Sequence, residues 1–198
     1  MHDKKWLNDV ELVGKSVTLM PLARNHAEAL VDAASDGELW KLWFTSVPNA
    51  DSVHAYIDFA FSEKEFGRAL PFVVVCNETR KIIGTTRYCN ADSKHQRVEI
   101  GHTWYAKRYQ RTSVNTECKL LLLTHAFEQL DAIAVEFRTS WYNHASRTAI
   151  ARLGAKQDGV LRNHQKLPDG SYRDTVVFSI INQEWPAVKN NLLFKLGV

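Results

Sequence analysis

The sequence predicts a mixed α/β (α+β) fold, in which a central, mostly antiparallel sheet of about seven strands carries helices on both faces. The predicted elements follow the order β, α, α, β, β, β, α, β, α, β, β, with a short C-terminal helix after them, which is not the regular alternation of a repeated βαβ fold. Two pairs of neighbouring strands are joined by short turns, as antiparallel hairpins are. With 198 residues, 45% of them hydrophobic, the chain can bury one substantial core. We therefore expect a single domain over residues 1–198.

Each element follows from a local pattern. Alternating polar and apolar residues, or short apolar runs between turn residues, indicate strands. The predicted strands are residues 16–20, 71–76, 81–88, 97–105, 134–139, 159–165 and 172–181. Apolar residues at helical spacing after capping residues indicate helices. The predicted helices begin at Asn25, at Asp51-Ser52 (to about Arg68), after Arg111 in a leucine-rich segment, at Asn143 (to Leu153) and at about residue 184 (to 196).

Composition and charge exclude several classes of protein. The net charge is only +3, and basic residues are mixed with acidic ones, so we expect no nucleic-acid partner. No apolar run is long enough to span a membrane, and no signal peptide is evident, which together predict a cytoplasmic protein without a membrane partner. The three cysteines are predicted to be reduced core residues, and the scattered histidines and cysteines predict no metal site.

The most informative segment runs from residue 98 to residue 126. A strand leads into a basic turn that contains Lys107, Arg108 and Arg111, and the turn leads into the leucine-rich helix. The first N–H groups of a helix have no partner within the helix, and the helix dipole places partial positive charge beside them. This segment therefore predicts a site for a phosphate-bearing cofactor.

Four short motifs resemble those of the GNAT superfamily of N-acetyltransferases, and the order of elements matches over nearly the whole length. The motifs are Gln110–Asn115 at the position of the family's Q/R-x-x-G-x-G/A loop, Glu99-Ile100-Gly101, Asn143 with Ser146 and Gly154, and the closing turn Asp169-Gly170 with Asp174. The last two are similar to the ribosomal-protein N-acetyltransferase branch. The loop departs from the family because Ser113 and Asn115 stand where glycines are usual.

The resemblance implies acetyl-CoA as co-substrate and a sheet that splays between its fourth and fifth strands, 98–105 and 134–139. In such a gap the pantetheine would bond a strand edge, and the pyrophosphate would bond the amides at the start of the helix. The implied cofactor-binding residues are His102, Thr103, Trp104, Gln110, Arg111, Thr112, Ser113, Val114, Asn115, Asn143 and Ser146. No metal is implied.

The resemblance also suggests catalytic residues. Many relatives carry a proton-donating Tyr seven residues after the Asn, but that position is Ile150 here, so Ser146 becomes the expected donor for the leaving thiolate. Glu99 and Asp158 are rival candidates for the general base. Each assignment has a structural alternative, since Asn143 can cap a helix with Ser146 in its first turn, and either acid can be a solvated charge.

The implied function is acetyl transfer from acetyl-CoA to a primary amine by direct attack in a ternary complex. The acceptor is expected to be a protein N-terminus or a small amine, and the chain to be a monomer or a homodimer. The alternative is a non-catalytic acyl-CoA sensor of the same fold. The missing Tyr and the missing loop glycines favour that alternative.

Overall fold

A computed structural model describes residues 6–198. The strands are β1 (Leu12–Val13), β2 (Val17–Pro21), β3 (Leu70–Cys76), β4 (Ile82–Asp92), β5 (Arg97–Tyr105), β6 (Ala134–Ser140), β7 (Lys156–Lys166) and β8 (Tyr172–Ile181). The helices are α1 (Ala27–Ser35), α2 (Val53–Glu65), α3 (Val114–Glu128), α4 (His144–Leu153) and α5 (Trp185–Leu196). The seven predicted strands and five predicted helices are therefore all present, with ends that move by a few residues.

All eight strands form one sheet in the order β1-β2-β3-β4-β5-β6-β8-β7. Neighbouring strands are antiparallel except for β5 and β6, which are parallel. The mixed fold with a mostly antiparallel sheet is thus confirmed. The eighth strand is the two-residue β1, which pairs with β2 at the edge of the sheet and is too short to give a sequence pattern.

The helices cover both faces, as predicted. Helices α3, α4 and α5 pack on one face around fully or nearly fully buried residues such as Leu122, Ile150 and Leu192. Helices α1 and α2 pack on the other face, where Leu30 and Ile57 lie against the sheet. We call these the α3 face and the α2 face. The two cores are separate because alternate residues of each strand point to opposite faces.

The N-terminus of α2 differs from the prediction in detail. The side chains of Asp51 and Ser52 do not cap the helix. Instead, the Asn49 side-chain oxygen accepts hydrogen bonds from the backbone N–H groups of both residues, at 3.1 and 3.0 Å. Asn49 follows Pro48 and precedes the first turn, so it closes the loop as an Asx turn rather than as a helix cap.

Among residues 6–198 no helix combines the length and the apolar character that a bilayer crossing requires. The three cysteines are free thiols, with Cys76 and Cys118 buried and Cys89 partly so. Within the same residues, no group of three or more His, Cys, Asp or Glu side chains could hold a metal ion.

Candidate active site between β5 and β6

The parallel strands β5 and β6 pair over only three residues and then separate. Their pairing runs from Arg97 opposite Ala134 to Glu99 opposite Glu136. Beyond that point β5 continues to Tyr105, paired only with β4, and β6 continues to Ser140, paired only with β8. The edge of β5 that faces β6 is therefore open over its second half, and this splay forms the candidate site.

A β-bulge lies in the open part of β5. Arg87 of β4 pairs with Gly101, and Thr85 pairs with Trp104, so β5 carries one extra residue at His102 and Thr103. His102 takes a left-handed conformation with φ of 49°. Bulges change the direction in which side chains point. Here the Thr103 hydroxyl points to the α3 face and accepts a hydrogen bond from Lys119 Nζ at 2.9 Å, while the side chain of Trp104 is buried on the α2 face.

The loop before α3 presents backbone N–H groups as predicted. Within residues 6–198, no hydrogen bond uses the N–H group of Arg111, Thr112 or Ser113 as its donor. The first bond of the helix is the one from Glu117 N to Ser113 O at 2.9 Å. The loop and the first turn of α3 therefore offer donors at the place where β5 ends, which is the geometry of an anion site.

The loop does not need glycine at the two positions where the family has it. Ser113 has φ of −68° and ψ of −16°, and Asn115 lies inside α3, so both have ordinary helical conformations. The residue with positive φ is Arg111, at 61°. Ser113 and Asn115 therefore cause no backbone strain where they replace the glycines, because a residue with a Cβ adopts a helical conformation without difficulty.

Side chains of the loop hold its shape. Gln110 Nε2 donates to the carbonyl of Tyr105 at 2.9 Å, and Thr112 Oγ1 donates to the carbonyl of Tyr109 at 2.7 Å. Asn115 Oδ1 accepts from the hydroxyl of Tyr105 at 3.2 Å. Val114 is part of the core on the α3 face. These four side chains position the loop, and its backbone remains available to a ligand.

The three cations of the basic turn are not equivalent. Arg108 is held by Asp36, whose Oδ2 accepts from the Arg108 Nε at 2.7 Å and from its backbone N–H at 3.1 Å. These bonds hold the pKa of Asp36 below its usual range. Arg111 is exposed, and no ion pair within residues 6–198 uses it or Lys107. Arg111 and Lys107 are thus the cations that remain available for phosphate.

The N-terminus of α4 stands at the end of β6, beside the open end of the splay. Asn143 caps this helix, since its Oδ1 accepts from the backbone N–H of Ser146 at 3.0 Å. Ser146 is half-buried in the first turn, and no hydrogen bond within the described residues involves its hydroxyl. The cap does not exclude a cofactor contact, because the hydroxyl of Ser146 and the amide nitrogen of Asn143 remain available.

Two carboxylates meet at the apex of the splay, where Glu99 pairs with Glu136. Glu136 forms two ion pairs, one from its Oε1 to Arg97 Nη2 at 2.5 Å and one from its Oε2 to Arg138 Nη2 at 3.0 Å. Burial alone would raise the pKa of Glu136, but these two arginines outweigh burial and lower it. Glu99 is 8% exposed. Within residues 6–198, its one hydrogen bond is from Asn90 Nδ2 at 2.7 Å, and Arg138 Nε lies 3.6 Å from the same carboxylate.

Burial therefore dominates at Glu99 and raises its pKa, although the bond from Asn90 and the charge of Arg138 oppose the rise. The two neighbouring carboxylates thus differ in pKa. The pKa of Glu136 is lowered, which favours its ionised form, and the pKa of Glu99 is raised, so Glu99 takes up a proton more readily. Such a separation of pKa values is common among acid–base catalysts. Within the described residues, Glu99 combines this property with a position at the splay.

Gly101 leaves the space that the Glu99 carboxylate occupies. A Cβ at this position would lie 2.9 Å from the Cys89 Sγ and 3.1 Å from the Glu99 Oε1. The Glu99-Ile100-Gly101 motif is therefore a packing unit, in which the absent side chain of Gly101 lets the carboxylate lie against the strand.

Asp158, the rival to Glu99, lies elsewhere. It is exposed on β7 and accepts a hydrogen bond from Ser179 Oγ of β8 at 3.0 Å. Strands β8 and β6 stand between β7 and β5. At about 4.8 Å per strand, the backbones of β7 and β5 are roughly 14 Å apart. The structure thus brings Glu99, the loop 110–115 and the start of α4 to one splay, and places Asp158 at the far edge of the sheet.

Several polar residues beside Glu99 were missed by the sequence analysis. They are Asn90, Glu136, Arg138, Arg173 and Arg87, all on strands and all on the α2 face. One signal was available for Arg87: it stands in the predicted strand 81–88, one residue before the apolar Tyr88, at a position that alternation assigns to the opposite face. The other four carry no pattern that single-sequence reasoning could use, because their proximity depends on strand register.

Known proteins resemble the chain in both sequence and fold. The model of the "Acetyltransferase (GNAT) domain" family matches residues 16–156. YdaF of Bacillus subtilis (strain 168), which is provisionally named a ribosomal N-acetyltransferase, is 30% identical over 100 residues, or 50% of this chain and 54% of YdaF. The match to YdaF thus spans about half of each protein.

Two solved structures extend the likeness to the whole fold. A protein of T. thermophilus, provisionally described as an acetyltransferase, has a TM-score of 0.84 at 31% identity, with 96% of this chain and 99% of that chain covered. Mycobacterium smegmatis RimJ, solved in complex with CoA-disulfide, has a TM-score of 0.75 at 22% identity, with 91% and 89% covered. The chain belongs to the GNAT acetyltransferase family.

Proposed function

We propose that the protein is an acetyl-CoA-dependent N-acetyltransferase that moves the acetyl group to a primary amine by direct attack in a ternary complex. The observation that carries this proposal is the separation of β5 from β6 immediately after the buried Glu99. An unpaired strand edge, two helix N-termini and a carboxylate with a raised pKa then border one opening.

The residues at the opening fit a CoA ester. The backbone N–H groups of Arg111, Thr112 and Ser113, which have no acceptor within residues 6–198, suit a pyrophosphate, and the side chain of Arg111 adds a cation. The open edge of β5 from Gly101 to Tyr105 suits the amides of pantetheine, as an added strand would. RimJ, which has the same fold, was solved in complex with CoA-disulfide, and this supports CoA as the ligand. The thioester supplies the activated acetyl group.

Glu99 is proposed as the general base. The attacking amine must lose its ammonium proton, and a carboxylate with a raised pKa accepts that proton more readily than an ordinary one. Asn90 fixes one carboxylate oxygen at 2.7 Å, which leaves the other available to the amine or to a bridging water. Asp158 remains a weaker candidate because it lies at the sheet edge.

Ser146 is proposed as the donor that protonates the departing thiolate. Its hydroxyl makes no hydrogen bond within the described residues, and Ser146 stands in the first turn of α4 next to the open end of the splay. Ile150 is buried in the core on the α3 face, so its position offers neither a hydroxyl nor access to the opening. The helix dipole at the start of α4 would also favour a developing negative charge on the leaving sulfur.

The acceptor is proposed to be a protein N-terminus or a small amine. The name of YdaF refers to ribosomal N-acetylation, which supports the first class without deciding between the two. We propose activity in the cytoplasm, as one domain that is monomeric or dimeric.

Incubation with acetyl-CoA and a panel of N-terminal peptides and small amines, read by mass spectrometry, tests the proposal. Ser146→Ala should lower kcat by roughly 10²-fold or more while CoA binding persists. Ser62→Ala, at an exposed serine of α2, is the matched control and should change neither.

A sensor would give another result. CoA at a hundred times its dissociation constant would stabilise either protein by about 2.7 kcal/mol. Stabilisation by CoA, with no acceptor modified and no effect of Ser146→Ala, would replace the enzyme with an acyl-CoA sensor. The absence of any stabilisation by CoA would contradict both.

A further inference from the structure

Arg87 is a buried cation whose guanidinium has no hydrogen-bond acceptor in the described part of the chain. It lies in the middle of β4, and its side chain is 1% exposed. All three guanidinium nitrogens are buried, and none of them donates a hydrogen bond within residues 6–198. Buried charged groups in proteins are normally paired, because an unpaired one forfeits its hydration. The guanidinium of Arg87 therefore needs a hydrogen-bond acceptor that no described residue provides, and a ligand could supply it.

Aromatic rings of α2 surround this guanidinium. Its central carbon lies 5.0 Å from the ring centre of Tyr56 and 5.9 Å from that of Phe59. Contact with ring faces stabilises the cation, but it leaves the N–H groups at the guanidinium edge unsatisfied. Phe59 is 52% exposed, so the cover on this side is the outermost layer of the molecule.

Within residues 6–198, four further donors on the α2 face are buried without hydrogen-bond acceptors. They are the hydroxyl of Tyr56, whose ring contacts Arg87, the indole nitrogen of Trp104, which lies on the neighbouring strand, and the Nε atoms of Arg138 and Arg173. Several buried N–H and O–H groups around Arg87 thus lack an acceptor within the described residues. A ligand that satisfies them must be rich in acceptors and negatively charged.

The acidic side chains near Arg87 already bind other partners. Glu63 of α2, whose pKa the charge of Arg87 helps to lower, is held chiefly by Arg68 through bonds of 2.6 and 3.0 Å. Glu99 is bonded to Asn90 and faces Arg138. His102 carries no positive charge near neutral pH, since burial, followed by the charges of Arg87 and Arg173, lowers its pKa to about 3.

We propose that Arg87, with Tyr56 and Trp104, binds a carboxylate of the acceptor substrate. This inference rests on the proposed acetyltransferase function and specifies its acceptor class as amines that bear a carboxylate. A carboxylate fits because rings cover the guanidinium and leave its planar edge, and the two N–H groups of that edge match the two oxygens of a carboxylate. The ligand would enter where the exposed ring of Phe59 closes the α2 face.

The position of Arg87 suits a substrate whose amine is at Glu99. Arg87 pairs with Gly101, two residues from Glu99 on β5, and both side chains lie on the α2 face. Strand spacing and rise place their Cα atoms roughly 8 Å apart. One compact acceptor can therefore contact both, with its carboxylate at Arg87 and its amine at the splay.

Matched pairs of acceptors test the inference on the full-length protein. We would compare amino acids with their carboxamides, and peptides with Glu or Asp at the second position with their Gln or Asn counterparts. The wild type should favour the carboxylate member by roughly 10²-fold in kcat/KM, since loss of a charged bidentate bond is costly. Arg87→Met should abolish this preference, and Tyr56→Phe should reduce it several-fold. Arg24→Met, at an exposed arginine of the N-terminal part, should leave it intact.

The outcomes separate this inference from the proposed function. Acetylation without any preference for carboxylates overturns the inference and leaves the acetyltransferase intact. If no amine is acetylated, the proposed function fails, and the thermal stability of the whole protein with and without glutarate then tests the carboxylate subsite. A stabilisation by glutarate that is lost in Arg87→Met supports the subsite. No stabilisation by glutarate overturns it. Stronger protection by inorganic phosphate than by glutarate would also overturn it. Tyr56→Phe supplies the test if Arg87→Met does not fold.

Discussion

Substituting alanine for Gly101 should damage the candidate site without replacing a proposed catalytic side chain. The added Cβ would lie 2.9 Å from the Cys89 Sγ and 3.1 Å from the Glu99 Oε1, whereas ordinary contacts begin at 3.4 Å. The thiol must then move by about 0.5 Å and the carboxylate by about 0.3 Å, as differences from that ordinary contact distance. Both groups stand on strands that are paired at this point, so the sheet itself cannot yield easily.

The size of each effect follows from these displacements. Overpacking of this kind lowers the free energy of unfolding by about 1–3 kcal/mol. Misplacement of a reacting group by 1 Å can cost about 10²-fold in rate, so a shift of a few tenths of an ångström should lower kcat/KM by roughly 3- to 10-fold. Chemical denaturation and steady-state acetylation kinetics measure the two effects on the same preparations.

Gly159→Ala is the matched control. Gly159 also lies on a strand, but its Cβ would meet nothing within 4 Å, so stability should change by no more than about 0.5 kcal/mol. Adding Cys89→Ala to Gly101→Ala removes the closer contact and leaves the contact with Glu99. Stability relative to Cys89→Ala should then recover more than activity does. Equal behaviour of Gly101→Ala and Gly159→Ala would refute the packing role of Gly101.

Three further predictions concern the same region. Glu99→Gln should lower kcat/KM by about 10²-fold or more and remove the fall in activity at acidic pH. Because the folded protein holds the Glu99 proton more tightly than the unfolded chain, wild-type stability should decline as pH rises from the ordinary Glu range through the raised pKa, and denaturation of Glu99→Gln should lack that decline. Asn143→Ala should lower the free energy of unfolding by about 1 kcal/mol in a denaturant titration, whereas Asn143→Asp, which keeps the cap of α4, should not. Tyr88→Phe should cost about 1 kcal/mol in the same assay, because it leaves the carbonyl of Leu122 without the buried hydroxyl that donates to it at 2.5 Å.

The sequence was sufficient for the fold because its signals were local. The apolar run before Cys76 and the Pro168-Asp169-Gly170 turn each determine a strand or a hairpin without help from distant residues, and Gly170 has the positive φ that this turn requires. The strand Leu12–Val13 was missed because two residues cannot display an alternation. The Asp51-Ser52 cap was misassigned because Asn49, two residues upstream, closes the loop first.

The candidate site was predicted only where it depends on the same kind of signal. The loop 110–115 and the start of α4 follow from helix N-termini, and both are where the sequence placed them. The pKa values of Glu99 and Glu136 differ because different arginines reach the two carboxylates, and which arginines reach them depends on the register of β5 against β6. The burial of the Arg87 guanidinium depends on the rings of Tyr56 and Phe59, which belong to α2 and cover it. Neither could be read from spacing along the chain.

Under the proposed function, the splay would let one sheet serve two ligands that approach from different directions. The N-termini of α3 and α4 flank the α3 face, whereas Glu99 and Arg87 lie on the α2 face. A sheet with complete pairing would keep a cofactor on the first face apart from an amine on the second, because its backbone forms a continuous wall. Pairing between β5 and β6 stops after Glu99, so an acyl group can reach through the opening to an amine beside that carboxylate. We therefore expect that an engineered disulfide joining the diverging halves of β5 and β6 would abolish acetylation and that reduction would restore it, with CoA-induced thermal stabilisation lost and regained in parallel. Full activity of the cross-linked protein would mean that the two substrates meet elsewhere.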